Sequence, residues 1–228
     1  MVKSKSQIAE KIVPEQETGE GALSRARTAV ADRRTAILDC AEEVFLEKGF
    51  QAASMAGIAA ILGGSKGTLY NYFPSKEDLF IACVTRRCQY LQEQVSSVVS
   101  EGQSLEETLN RIGKRFVELV YSDETVNQYR MIVAEVSRTP ELGRAFYENG
   151  PRRGAELIAD YFSDLRDQGL LQFEDPLRAA RHFASLCDSM FAKGRHCGAM
   201  QALDLDQVDR EVRFAVRAFL AAYGATRA

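Results

Sequence analysis

Apolar positions recur with a helical period along most of this chain. Ile37, Leu38, Ala41, Val44 and Phe45 fall at i, i+1, i+4, i+7 and i+8, a single stripe on an α-helix. Gly49 stands where a C-cap for that helix belongs. Ser54 is placed to cap a short second helix through Ile58, Ala59 and Leu62. Gly63-Gly64 then breaks the chain, and Ser65 opens a third helix, Lys66 to Tyr72, which Phe73-Pro74 ends. Ser75-Lys76-Glu77-Asp78 has the order of a capping box. It predicts a long fourth helix to about Ser100, a rod of about 37 Å at 1.5 Å per residue.

The same punctuation continues. Ser104-Leu105-Glu106-Glu107 is a second capping box, followed by a stripe of Leu109, Ile112, Phe116, Leu119 and Val120. Asp123 is placed to open a helix bearing Val126, Tyr129, Ile132 and Val136. Thr139-Pro140 and Asp175-Pro176 each pair a cap with proline at the first helical position. Pro151 is expected to open a helix carrying Leu157, Ile158, Tyr161, Phe162 and Leu165 that stops at Gly169. A last stripe holds Val212, Ala215, Val216, Phe219, Leu220 and Tyr223. No run alternates with period two for long enough to read as a strand. The expectation is an all-α fold of about ten helices. Residues 1–28 lack the period and read as a flexible arm. Residues 29–84 read as a small three-helix unit, and 85–228 as a larger helical bundle.

Composition narrows the class. Of 228 residues, 46% are hydrophobic and 27% charged, which fits an ordinary globular chain. Apolar runs are too short for a transmembrane helix, so no membrane partner is expected. The lysines of the N-terminus are not followed by an apolar segment, which argues against a secretory signal and for a cytoplasmic protein. The net charge of −3 excludes a generally basic nucleic-acid coat but not a local basic surface. Cys40, Cys83, Cys88, Cys187 and Cys197 make no C-x-x-C and no zinc spacing with His182 or His196. Neither a metal nor a cofactor is expected. There is no Ser-His-Asp grouping and no glycine-rich phosphate loop, so an enzyme is not expected either.

Two short helices with a glycine turn between them form a helix-turn-helix pattern. The surrounding segment, ILDCAEEVFLEKGFQAASMAGIAAILGGSKGTLYNYFPSKEDLFIACV from Ile37 to Val84, resembles the DNA-binding domain of the TetR (tetracycline-repressor) family. The block SKGTLYNYFPSKEDLF carries most of that likeness. Two positions depart from the family pattern. Gly64 stands where an apolar residue usually precedes the capping serine, and Gly57 where the residue before the isoleucine is often acidic. A glycine inside a helix costs about 1 kcal/mol, so both changes are expected to loosen the second helix.

The third helix suits a major groove. Lys66 reaches a phosphate or a guanine edge, Gly67 lets the backbone approach, Thr68 offers a methyl and a hydroxyl, and Asn71 matches adenine. The resemblance assigns Tyr70 and Tyr72 to backbone phosphates, with plain core packing as the alternative. It also makes Lys76 a phosphate clamp. The caps Ser54 and Ser65 complete the expected DNA-facing set. Leu69 and Phe73 are expected to face the core. Residues 54–76 contain two lysines and no acid.

By the same resemblance, residues 85–228 are the regulatory and dimerisation domain. The stretch from Tyr129 to Phe162 looks like an AcrR/AefR-like subgroup. Such domains enclose a pocket for a small, mostly apolar effector. Phe116, Tyr121, Tyr129, Phe146, Tyr161 and Phe162, with the polar Glu135 and His182, are the candidate lining, although each is equally readable as core or surface. The implied function is a transcriptional repressor that binds a palindromic operator in double-stranded DNA as a homodimer and is released by its effector. The helices over 151–169 and 176–196 are expected to pair across the two-fold axis. Two alternatives stand beside it: a constitutive DNA-binding dimer, and a thiol-based redox switch. The second is weakened because Cys83 and Cys88 lie about 140° apart around one helix.

Overall fold

The computed structural model describes residues 19–98 and 104–225, with residues 19–29 as backbone. In chain order the helices are α1 (Gly19–Ala52), α2 (Met55–Ile61), α3 (Lys66–Tyr72), α4 (Lys76–Ser96), α5 (Leu105–Val120), α6 (Asp123–Glu135) and α7 (Pro140–Tyr147). A π-helical turn, Glu148–Arg152, leads into α8 (Arg153–Asp167), which is followed by α9 (Pro176–Asp188), α10 (Ala192–Cys197) and α11 (Leu205–Tyr223). Among the described residues the only β pairing is an isolated bridge, Leu171 to Gly224. The fold is all-α.

Most boundaries follow from local chemistry. Ser54, Ser65, Ser75, Ser104 and Asp175 each accept a backbone N–H from the first turn of the helix they precede. The Ser104–Glu107 box closes in both directions. Helix α4 ends at Ser96 rather than at about Ser100, and four further boundaries differ from expectation. Helix α1 begins at Gly19, inside the expected arm, of which residues 1–18 lie outside the described residues. The segment ALSRARTAVADRR holds good helix formers and no breaker, so propensity extends the helix without an apolar stripe. Ser122, not Asp123, caps α6, accepting from the Thr125 amide. Pro151 does not open a helix but lies inside the π turn, where its lack of an N–H interrupts the i→i−4 ladder. The segment expected as one helix to residue 196 splits into α9 and α10. At Gly49, φ is 74° and the helix bends, as its glycine foretells.

Two apolar cores result. The first joins α1–α3 to the N-terminal half of α4, with Phe45, Phe50 and Phe80 in mutual contact, and takes in Ile132 of α6 and Leu142 of α7. The second binds α5, α8, α9 and α11 around Phe162, Phe183 and Phe219. Helix α4 runs between them, about 31 Å long. Arg86 fastens it to Asp39 and Glu42 of α1, each at 2.7 Å, and Arg87 fastens it to Glu124 of α6 at 2.8 Å. The small helical head is thus sealed against α6 and α7 rather than hung from α4 alone.

Candidate nucleic-acid interface

The head presents α3 on a surface made by the chain's own punctuation. Leu69 and Phe73 are buried. With them inside, Ser65, Lys66, Gly67, Tyr70 and Asn71 lie exposed, while Thr68 and Tyr72 are half-buried. Tyr72 packs on the head's core. The Ser65 hydroxyl is 3.0 Å from that of Thr68 and accepts the Thr68 amide at 3.1 Å, fixing the first turn of α3. Gly63, at φ 64°, makes the turn between α2 and α3. Ser54 is exposed at the start of α2, its hydroxyl accepting the Gly57 amide at 3.1 Å.

The two glycine departures acquire a physical reading. A Cβ on Gly57 would stand 3.2 Å from the Ser54 hydroxyl, so the glycine leaves that cap undisturbed. A Cβ on Gly64 would stand 2.7 Å from Nη2 of Arg33, so the guanidinium occupies the space an apolar side chain would take. Arg34 lies beside it over the Phe73 ring, 5.3 Å from the centroid. Two arginines of α1 therefore flank the reading helix, adding to the charge of Lys66.

Lys76 does something the sequence did not indicate. Its ammonium donates to the carbonyls of Phe50 at 2.7 Å, Ala53 at 3.2 Å and Gln51 at 3.4 Å, and lies 4.3 Å from the Phe50 ring centroid. Those are the orphan carbonyls at the end of α1. All three donors of the amine are engaged, so its geometry is that of a positioning residue tying α4 to α1. Lys76→Met is expected to cost about 2 kcal/mol through the unpaired carbonyls and to weaken DNA binding without changing its salt slope. Lys66→Ala is expected to lower that slope by about one. Binding titrations over a salt series measure both, and a slope lowered by Lys76→Met would return this lysine to the phosphate backbone.

The residues expected to line one effector pocket are dispersed. Phe162 is buried in the second core, with Tyr161 and Phe116 against its edge. Tyr121 is buried and donates to Asp188 at 2.8 Å; burial and that carboxylate push its hydroxyl pKa well up. Tyr129 stacks on His196 at 4.1 Å and touches Phe146. His182 is exposed and hydrogen-bonded to the Tyr223 hydroxyl at 2.5 Å. Glu135, only 5% exposed, accepts from Gln51 Nε2 at 2.5 Å, linking the end of α6 to the end of α1. No cavity among those described gathers these side chains; aromatic rings on inward helix faces have packed on one another instead.

A small head with an exposed, capped second helix and a basic margin, carried on a larger helical bundle, defines a helix-turn-helix DNA-binding protein. The chain is a member of the TetR family of bacterial transcriptional regulators: residues 37–83 match the model of bacterial regulatory proteins of the tetR family, and residues 107–225 that of the AefR-like transcriptional repressor C-terminal domain. A putative TetR-family regulator from Mesorhizobium loti MAFF303099 has a similar structure, with a TM-score of 0.80 and 31% identity over 85% of this chain and 98% of that one. The flavonoid-responsive regulator FrrA follows at 0.75 and 31%, covering 86% of this chain and all of FrrA. The transcriptional regulator UidR of Escherichia coli K12 is 27% identical over 202 residues, 85% of this chain and 92% of UidR. Family and relatives are regulators, not enzymes. No helix among the described residues is long and apolar enough to cross a membrane.

Proposed function

We propose that this protein is a repressor that binds a palindromic operator as a homodimer and is released by a small-molecule effector. The observation that carries the reading is the exposed set on α3, Lys66, Gly67, Tyr70 and Asn71, held by the Ser65 cap and flanked by Arg33 and Arg34. Lys66 and Asn71 are the base-reading candidates, and Tyr70 with the hydroxyls of Ser54, Ser65 and Thr68 the phosphate-facing ones. Tyr72 contributes from a half-buried position, and Lys76 by fixing the head. One such helix reads only a few base pairs, so a dimer on a two-fold operator is required.

An effector-released mechanism is supported by the connection between the parts. Glu135 joins α6 to Gln51, whose backbone carbonyl is in turn held by Lys76 at the start of α4. A displacement of α6 is thereby felt at both ends of the head. FrrA, by its name, responds to a flavonoid, which makes effector response a property found among this chain's relatives. The thiol alternative gains no support: Cys40, Cys83, Cys88 and Cys187 are buried, and burial pushes the Cys88 thiol up to about 11 and that of Cys187 to about 12. Neither is a thiolate at neutral pH.

The test is a binding titration with DNA from upstream of the protein's own gene. The expected result is a dimer on a palindromic site, with log affinity falling steeply against log salt, by about 0.9 for each phosphate neutralised. A folded protein that binds no such fragment at low salt would end the repressor reading.

A further inference from the structure

A cavity of about 280 Å³ opens where the first turns of α6 face α10 and the loop after it. Its wall is polar and unevenly charged. Arg195 is buried within it, and four of its five guanidinium N–H groups are engaged. Nε donates to the Tyr121 carbonyl at 3.0 Å, Nη1 to the carbonyls of Met200 and Gln201, and Nη2 to Asp123 at 2.5 Å. Asp123 is thereby neutralised. Arg130 differs. Nε donates to the His196 carbonyl at 3.1 Å, Nη2 to the Arg195 carbonyl at 2.6 Å, and Nη1 makes only a long contact with Asn127 at 3.4 Å. None of these partners is a carboxylate. Two guanidiniums and one carboxylate leave the lining with one uncompensated positive charge, on Arg130.

The geometry around Arg130 suits a ligand. Its Nη nitrogens each carry a second N–H beyond the bonds above, available to a carboxylate. Gly198, at φ 80°, presents no side chain there; Arg130 Nη2 lies 3.6 Å from where a Cβ would stand. The amides of Asn127 and Gln201, also on the wall, offer neutral hydrogen bonds beside the charge. We propose that this cavity binds a small organic monoanion, its carboxylate held by the outer N–H groups of Arg130 and its polar body by Asn127 and Gln201.

The inference rests on the effector-released reading above and gives that effector a chemical class. Helix α6 carries Arg130 on the cavity and, five residues on, the buried Glu135 on Gln51 of the head. An anion bridging α6 to the loop after α10 acts on the same rigid helix that touches the reading head. The aromatic residues expected to receive an apolar effector are meanwhile packed against each other.

Acetate, lactate and inorganic phosphate, each titrated into full-length ¹⁵N-labelled protein at constant ionic strength with chloride as control, are the probes. Saturable amide shifts at Asn127, Gly198, Met200 and Gln201 are expected with acetate and lactate. Arg130→Gln is expected to weaken them at least tenfold, and Arg130→Lys, which keeps the charge but not the planar pair of donors, to weaken them to an intermediate extent. Shifts that chloride reproduces, or that Arg130→Gln leaves unchanged in a folded protein, would overturn the site. Stronger binding of phosphate than of either carboxylate would overturn the ligand class. Operator affinity measured at saturating lactate separates the two proposals: cavity binding with unchanged operator affinity removes the effector role and leaves the anion site, whereas weakened operator binding that Arg130→Gln abolishes supports both.

Discussion

Met190→Glu is expected to yield a folded monomer that no longer binds operator at concentrations where the parent protein, a dimer in the proposed function, saturates it. Met190 is 53% exposed just beyond α9, although it is large and apolar. On the outward side of that helix, His182 and Leu186 precede it at intervals of four, forming one row. The inward side is already filled by Phe183 and Cys187, with Phe191 after them. Helix α8 packs beside α9, so the two present a joint face that a second subunit can cover, giving four helices about a two-fold axis. A buried unpaired carboxylate on that axis would be present twice, facing itself, and costs several kcal/mol. The DNA consequence is larger than the dimer consequence. Linking two reading heads multiplies affinity by a factor on the order of 10² to 10⁴ over one head. Sedimentation and gel shifts on the same preparations check both. Leu165, on the neighbouring helix α8, is 6% exposed inside the second core. A charge there would unfold the subunit and report nothing about the interface. An intact Met190→Glu dimer would move the two-fold axis to another face.

The parts of this molecule that were legible in the sequence are those decided within three or four residues. A serine whose hydroxyl takes the amide three positions on needs no tertiary partner, and so Ser54, Ser65, Ser75 and Ser104 mark their helices correctly. The division of α3 into inward Leu69 and Phe73 and outward Lys66, Tyr70 and Asn71 follows from helical period and family pattern together. What was not legible depends on groups far apart in sequence. Lys76 sits at the start of a helix, where a lysine is ordinarily solvated; only the fold brings the end of α1 beneath its amine. The aromatic residues of the bundle illustrate a different limit. An inward-facing ring has the same periodicity whether it packs on another ring or borders a cavity, and here Phe162, Tyr129 and Phe146 do the former. Arg195 is the clearest omission. It stands in KGRHC, a short polar stretch with no stripe, and nothing local announces that it becomes the most buried charged side chain described in the bundle.

That arginine provides the sharpest stability contrast. Arg195→Met is expected to destabilise the protein by roughly 3 kcal/mol, whereas Asp123→Asn, which removes the opposite charge of the same ion pair, is expected to cost less than about 1 kcal/mol. The asymmetry comes from burial. The Arg195 side chain is 3% exposed and that of Asp123 77%. Asp123 exchanges a guanidinium for water at little loss. Arg195 supplies N–H groups to three main-chain carbonyls, those of Tyr121, Met200 and Gln201. Removing it leaves acceptors stranded at the end of α5 and in the loop that closes the cavity. For a chain of this size the loss corresponds to about 6–12 °C in Tm. Calorimetry on the two variants decides the matter. Equal losses would mean that charge pairing, rather than carbonyl satisfaction, holds α10 to α6. A small loss for Arg195→Met would mean that the loop finds other donors, and the cavity wall would then be softer than its hydrogen bonds imply.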